Sequence, residues 1–261
     1  MDRSKLLDNL RDYSWGENIL LLEQVKSTNL TARELALQGA PHGTVVLAEH
    51  QTQGMGRLGR SFSSPEGLGI YLSVILRYTQ PAGELLHLTA VAAEAVRRGI
   101  EEATGLCPQI KWINDLLIGG KKLCGILTQC HSSPDGGTEV ILGVGINCNQ
   151  QTKDFPPELR ERAVSLSQVL GHPVERETVA GAVLSQLALA MGQEPGLWLD
   201  SYRKNCLTLG RDILILRGDT TQKAHADSMD DKGTLLVTLP DGSRGRVFSG
   251  EVSVRGIDGY Y

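Results

Sequence analysis

Apolar positions in the first 209 residues fall into two kinds of run. TVVLAEH at 44–50 and GIYLSVIL at 69–76 are short and continuously apolar, the pattern of buried strands. Residues 84–104 instead carry Leu85, Leu88, Val91, Ala92, Ala95, Val96 and Ile100 at helical spacing, with Gly105 as a stop. A shorter helix is predicted from Thr31 to Leu37, where Thr31 and Glu34 have capping-box spacing and Gly39 follows. Strand-like runs recur at 109–113, 115–118, 123–129 and 138–147, and helices are predicted at 157–170 and 176–193. The strands cluster and do not alternate strictly with helices. That predicts an α+β fold with a mixed sheet, not a doubly wound one.

The texture changes after Leu209. RDILILRG, GTLLVTLPDG and RGRVFSGEVSVRG are short strands separated by glycine and aspartate turns, and Asp241-Gly242 is a hairpin signal. The expected organisation is a main domain over 1–209 and a small β-barrel-like unit over 210–261.

Composition narrows the class. A chain of 261 residues, 41% hydrophobic and 21% charged, supports one large core with an appendage. A formal net charge of -4 gives no overall pull toward nucleic acid or anionic membrane. The five cysteines are odd in number and none makes a C-x-x-C pair, which argues against a disulfide framework and a structural zinc site. The polar start MDRSKLLDNLRDYSWGEN has no signal-peptide core. No apolar run reaches the ~20 residues of a membrane span. A cytoplasmic location is the expectation.

Candidate chemistry begins with QTQGMGRLGRSF at 51–62. It contains G-x-G-x-x-G, but the dinucleotide fingerprint needs a helix directly afterwards and an acidic residue about 20 positions on. Here SFSSPEG and a strand follow, and position 77 is Arg. What remains is a glycine-rich loop with Arg57 and Arg60, suited to closing over a phosphorylated ligand. A solvated surface loop is the plain alternative. KWINDLLIGGKKLCGIL at 111–127 predicts a hairpin with Gly119-Gly120 at its tip. Asp115 and Lys122 can meet across it, either as an exposed ion pair of little value or as a carboxylate and ammonium beside a nucleotide. GVGINCN at 143–149 puts two glycines in a strand, either for tight packing or for close approach of a ligand.

With these segments in view, the chain resembles the biotin protein ligase family. KSTN (26–29), EHQTQGMGRLGRSF (49–62), KWIND…KKLCGIL (111–127), GVGIN (143–147) and GEVSVRG (250–256) match in order, from Ser27 to Arg255. Each motif is modest alone, and their joint order is specific. The resemblance implies a mixed sheet flanked by helices, shared with lipoate-attaching enzymes, and a small SH3-like C-terminal domain. It implies that Ser27, Thr28, Asn29 and Gln51 hold biotin, and that Gly125, Gly143 and Gly145 wall its pocket. Gly54, Arg57 and Arg60 match the loop that orders over biotin and the adenylate. Asp115 and Lys122 match catalytic positions, with Arg57 beside them. Phe62, where the family usually has Trp, Asn114, Asn147, Glu251 and Arg255 match nucleotide-side positions.

Local alternatives stand beside these roles. Ser27 or Thr28 could cap a helix, Phe62 could be plain core, and Glu251 could pair with Arg255 on one strand face. Two departures stand out: Met55 replaces the family loop's first Arg, and Ile113 replaces the proline of K-W-P-N-D.

The activity implied is ATP-dependent. Biotin and Mg-ATP give biotinyl-5′-AMP, and the biotin then passes to a lysine of a biotin carboxyl carrier protein. Mg²⁺ comes with the nucleotide, and no protein-bound metal is expected. A lipoate or octanoate ligase is the enzyme alternative, which the loop disfavours. Repressor relatives carry a winged helix before S-T-N. Only 26 residues precede Ser27, so no DNA binding is expected. A homodimer through sheet edges is compatible with the resemblance.

Overall fold

The structure, a computed structural model, describes residues 1–11, 13–133, 136–250 and 252–257. Among these, seven strands form one sheet: Ile19–Val25 (β1), Thr44–Gln51 (β2), Gly69–Tyr78 (β3), Gln109–Lys111 (β4), Asp115–Ile118 (β5), Lys121–Ser132 (β6) and Thr138–Asn147 (β7). Their order is β1-β2-β3-β7-β6-β5-β4. β1 runs parallel to β2 and the remaining pairs are antiparallel, so the sheet is mixed, as the clustered strands predict. The helices are Arg3–Asp8 (α1), Thr28–Leu37 (α2), Leu88–Thr104 (α3), Leu166–Leu170 (α4), Arg176–Met191 (α5) and Gly196–Asn205 (α6).

The two faces of the sheet differ. Strand side chains alternate between faces. Val45, Leu47, Leu72, Val74, Leu142 and Val144 join the large core cluster that includes α3 and α5 residues. Gly99 lets these two helices cross closely, since a Cβ there would lie 2.6 Å from Val183 Cα. The opposite face packs Val46, Ile75 and Ile141 against Ala32 and Ala36 of α2. That helix covers only part of its face. Beyond its N-terminus the strands present Ser73, Gly143 and Gly145, and small residues leave a hollow above the sheet.

Several expectations are corrected. The helix predicted from Thr31 starts one turn earlier, so Thr31 lies inside it, and Ser27 at its N-cap makes no side-chain capping bond. The 157–170 helix is broken: Pro157–Leu159 is a 3-10 turn and α4 begins only at Leu166. The backbone between them pairs with β6, through Lys122 N–H to Arg162 O at 2.7 Å and Val164 N–H to Lys122 O at 3.0 Å. A capping box at Ser165 then restarts the helix. α1, α6 and β1 are additions. The Trp112–Ile113 peptide is cis.

The C-terminal strands are Arg211–Arg217 (β8), Thr220–Met229 (β9), Leu235–Thr238 (β10), Arg244–Val247 (β11) and Ser253–Gly256 (β12). They form an antiparallel sheet ordered β11-β10-β9-β8-β12. The Asp241-Gly242 turn joins β10 to β11 as predicted, with Gly242 at φ +83°. Among the described residues β11 and β12 do not pair, so this sheet is open where a closed barrel was expected. Ser249 and Val252, between these strands in the chain, meet the glycine-arginine loop: Arg57 donates to both carbonyls.

Candidate functional site

Strand register builds the floor of the site. Residues directly opposite in neighbouring strands share a face. One row crosses the sheet as Ala48, Tyr71, Gly145, Gly125, Asp115 and Lys111. The next row contains Val46, Ser73, Gly143 and Leu127. Three glycines therefore lie side by side. The Phe62 ring rests on two of them: a Cβ at Gly145 would come 2.5 Å from Phe62 Cε1, and one at Gly125 would come 3.4 Å from Phe62 Cε2. A Cβ at Gly143 would overlap Asn29 Oδ1.

A hydrogen-bonded corner closes one end of this floor. Gln51 Oε1 accepts from Thr28 N–H at 2.8 Å and from Thr28 Oγ1 at 3.1 Å, and Gln51 Nε2 donates to Ser64 Oγ at 2.8 Å. Ser73 Oγ lies 2.7 Å from Thr28 Oγ1 and 2.6 Å from Asn29 Oδ1. Asn29 Nδ2 donates to Gln129 Oε1 at 2.8 Å. Buried polar groups need such partners, and a connected network fixes their orientation. Thr28, Asn29 and Gln51, held by Ser64, Ser73 and Gln129, line a cleft of about 450 Å³ together with Ser27, Gly56, Arg57, Asn114 and Lys122. It has an amide-and-hydroxyl end, an apolar floor and a basic mouth.

The mouth is built by the 111–127 hairpin and the 51–62 loop. Gly119 and Gly120 turn the hairpin with φ +57° and +76°. A register shift in β5–β6 puts Lys122 opposite Leu117. From there its Nζ reaches back to Asp115 Oδ1 at 2.7 Å, with both side chains largely shielded from solvent. The loop folds back on itself through Gly56 N–H to Arg60 O at 2.7 Å and Phe62 N–H to Gly54 O at 2.8 Å. Arg57 Nη1 donates to Asn114 Oδ1 at 2.7 Å, and Asn114 Nδ2 donates to Ile126 O at 3.0 Å. Burial pulls the Arg57 guanidinium below its usual pKa, while the Asp115 carboxylate opposes that shift.

A second cleft of about 1210 Å³ adjoins the first and shares Gly56, Arg57, Phe62, Asn114 and Lys122 with it. Its apolar lining is Trp112, Phe155, Leu159, Ala163, Val252 and Val254. Six cations also line it: Arg57, Arg60, Lys111, Lys122, Arg162 and Arg255. Among the described residues Asp115 is the one carboxylate lining it. On a chain of net charge -4, this concentration of cations is local and specific.

The comparisons with known proteins agree with this geometry. The model of the biotin/lipoate A/B protein ligase family matches residues 21–147. The bifunctional ligase/repressor BirA of Bacillus subtilis is 37% identical over 262 aligned positions, covering 97% of this chain and 79% of that protein. This chain is a biotin protein ligase family member. The biotin–[acetyl-CoA-carboxylase] ligase of Mycobacterium tuberculosis is 32% identical, with 92% of this chain and 90% of that protein covered. The Aquifex aeolicus biotin protein ligase solved with biotin and ATP superposes with a TM-score of 0.78 at 30% identity, covering 92% of this chain and 99% of that one. These relatives favour a biotin ligase over a lipoate ligase.

In this biotin protein ligase the residues expected from the sequence lie in two groups. Ser27, Thr28, Asn29, Gln51, Gly125, Gly143 and Gly145 line the first cleft, and Gly54 lies within the 51–62 loop, where a Cβ would overlap Phe62 O. Arg60, Asn147 and Arg255 line the second, and Arg57, Phe62, Asn114 and Lys122 line both. Two of these residues also make contacts within the protein. Phe62 lies on the glycine floor between the clefts, because the absent Cβ atoms make room for its ring there. Asn147 is buried and braces the backbone, its Nδ2 donating to Val164 O at 3.1 Å. Glu251 lies outside the described residues. The sequence reading missed Ser64, Ser73, Gln129, Lys111 and Arg162. Among the described residues no cluster of three His, Cys, Asp or Glu is placed to hold a metal. Among the described residues no helix is long and apolar enough to cross a membrane.

Proposed function

We propose that this chain joins biotin to ATP and then passes the biotin to a carrier lysine, with the two clefts holding the two small substrates. The observation that carries the reading is the junction. Lys122 and Arg57 line both clefts at the point where a carboxylate in the first would meet an α-phosphate in the second. The amide-and-hydroxyl corner of Thr28, Asn29 and Gln51 suits a ureido ring, which both donates and accepts hydrogen bonds. The apolar wall of Phe155, Leu159 and Ala163 suits a purine.

The chemistry then needs no covalent nucleophile. A biotin carboxylate oxygen bonds to the α-phosphorus and the bond to pyrophosphate breaks. Lys122 and Arg57 stabilise the charge that grows on the phosphoryl oxygens, acting where water is largely excluded. Asp115 holds Lys122 in place. In the second step a carrier lysine amine attacks the biotinyl carbonyl carbon, the C–O bond to AMP breaks, and the amine loses a proton. Asp115 is the carboxylate at hand to orient that amine or take its proton. Arg60, Arg255 and Asn114 face the nucleotide. Magnesium enters as part of the Mg-ATP substrate, and the cleft with one carboxylate does not itself resemble a resident metal site. We read 1–209 as the catalytic domain and 210–261 as an SH3-like unit. Five antiparallel strands, with β12 returning beside β8, support that division.

The test against the lipoate-type alternative is thermal. Biotin with Mg-ATP should raise the melting temperature, whereas lipoate or octanoate with Mg-ATP should leave it near the unliganded value. Stabilisation by lipoate and none by biotin would reverse the assignment.

A further inference from the structure

Ser73 interrupts the apolar run GIYLSVIL of β3 and is fully buried. A hydroxyl in such a place costs free energy unless it is hydrogen-bonded. Ser73 is bonded twice, to Thr28 Oγ1 at 2.7 Å and to Asn29 Oδ1 at 2.6 Å, both at the start of α2. Register sets it opposite Gly143, whose missing Cβ leaves room for Asn29 Oδ1. Ser73 itself does not line the cleft. It lies beneath two residues that do.

Each hydroxyl has one proton, and that fixes the direction of the bonds. Asn29 Nδ2 donates to Gln129 Oε1, so Asn29 Oδ1 is the end that meets Ser73, and it only accepts. The Ser73 proton therefore goes to Asn29. The contact with Thr28 then uses the Thr28 proton, because Thr28 Oγ1 lies 2.7 Å from Ser73 Oγ and 3.1 Å from Gln51 Oε1. Thr28 Oγ1 is left with lone pairs alone to offer a ligand. Gln51 Nε2 has two N–H groups and gives one to Ser64 Oγ, which leaves the other to donate. The corner presents an acceptor and a donor, the complement of a urea edge.

We propose that Ser73 is a positioning and specificity-determining residue of the first cleft. It holds Thr28 as an acceptor and Asn29 in one amide orientation, so that the corner selects a cyclic urea with a free N–H. The inference rests on the ligase reading and adds to it a residue, out of reach of the ligand, that sets which ring is accepted. A dithiolane or an alkyl chain brings no N–H to Thr28, and its entry would leave that acceptor buried without a partner.

The test uses the full chain with three probes: biotin, and the two biotins methylated at one or the other urea nitrogen. In Ser73→Ala the Kd for biotin should rise about tenfold or more, the scale of a buried acceptor left unpaired. The KM for ATP and kcat at saturating biotin should stay near wild type. The wild type should reject most strongly the isomer whose methyl group faces Thr28. Ser73→Ala should narrow that preference about tenfold and leave the preference against the other isomer unchanged, since only the first has already lost the contact with Thr28. Ser73→Cys keeps the side-chain shape with a weak donor, so it should resemble Ser73→Ala, with a melting temperature near wild type to show an intact fold. Unchanged biotin affinity in Ser73→Ala, recovery in Ser73→Cys, or an equal loss for all three probes would make Ser73 a packing residue and overturn the proposal. If the wild type binds no biotin, the ligase reading fails first and the role of Ser73 falls with it.

Discussion

Replacing Lys122 with alanine should slow adenylate formation by about 10²–10³-fold, the effect of removing one preorganised donor from a developing negative charge. The side chain lines both clefts, and a register shift in the hairpin aims it back across Asp115. The fold should survive. Lys122 lies at the edge of the cleft with 26% side-chain exposure, and Asp115 retains Lys111 opposite it in register. The unfolding midpoint should therefore correspond to a loss of no more than about 1 kcal/mol. Single-turnover formation of biotinyl-5′-AMP separates this from a general failure, since biotin binding is expected to persist in the polar corner. Wild-type rates of adenylate formation in Lys122→Ala would remove this residue from the chemistry.

Arg57→Gly should act on retention instead. Arg57 ties the loop to Asn114 and, through the carbonyls of Ser249 and Val252, to the stretch before β12. These are charge-assisted contacts made by a half-buried side chain, so their loss should free the loop from both sides of the site. A loop that holds a bound intermediate acts mainly on its off-rate. Dissociation of biotinyl-5′-AMP should speed up by about tenfold or more, measured by chase with unlabelled biotin. An adenylate held as long as in wild type would mean that the loop does not latch through Arg57. Met55 does not enter this latch. Its backbone bridges Ser61, and its side chain is 37% exposed.

The fold was most legible where burial was continuous. β2, β3, β7 and the body of α3 follow apolar runs or helical spacing that few other structures satisfy. β9 escaped notice because TTQKAHADSM is mostly exposed and turns only Ala224, Ala226 and Met229 inward. α6 is short, and its apolar Trp198, Leu199 and Tyr202 follow directly on a proline and a glycine. The expected 157–170 helix lost to tertiary pairing with Lys122, an interaction between distant segments that local propensity cannot report.

Site residues divide in the same way. Those clustered in linear motifs, such as Gln51, Arg57, Asp115 and Lys122, were legible because spacing and residue type coincide. Ser73 and Gln129 were not. Each is a single polar residue in a strand, and its role depends on which face it takes. Ser73 lies opposite Gly143 in register, and Asn29 Oδ1 and Thr28 Oγ1 come to it from a helix more than forty residues earlier. Lys111 stood at the head of K-W-I-N-D in plain view. Its significance comes from the antiparallel pairing that sets it beside Asp115.

Transfer of biotin to a protein lysine is the proposed end point of both half-reactions. The most direct measurement incubates the purified chain with biotin, Mg-ATP and an apo biotin carboxyl carrier domain, and weighs the carrier by mass spectrometry. The expected result is a gain of one biotin that requires ATP and the carrier's target lysine. An unchanged carrier, with no biotinyl-5′-AMP formed, would contradict it.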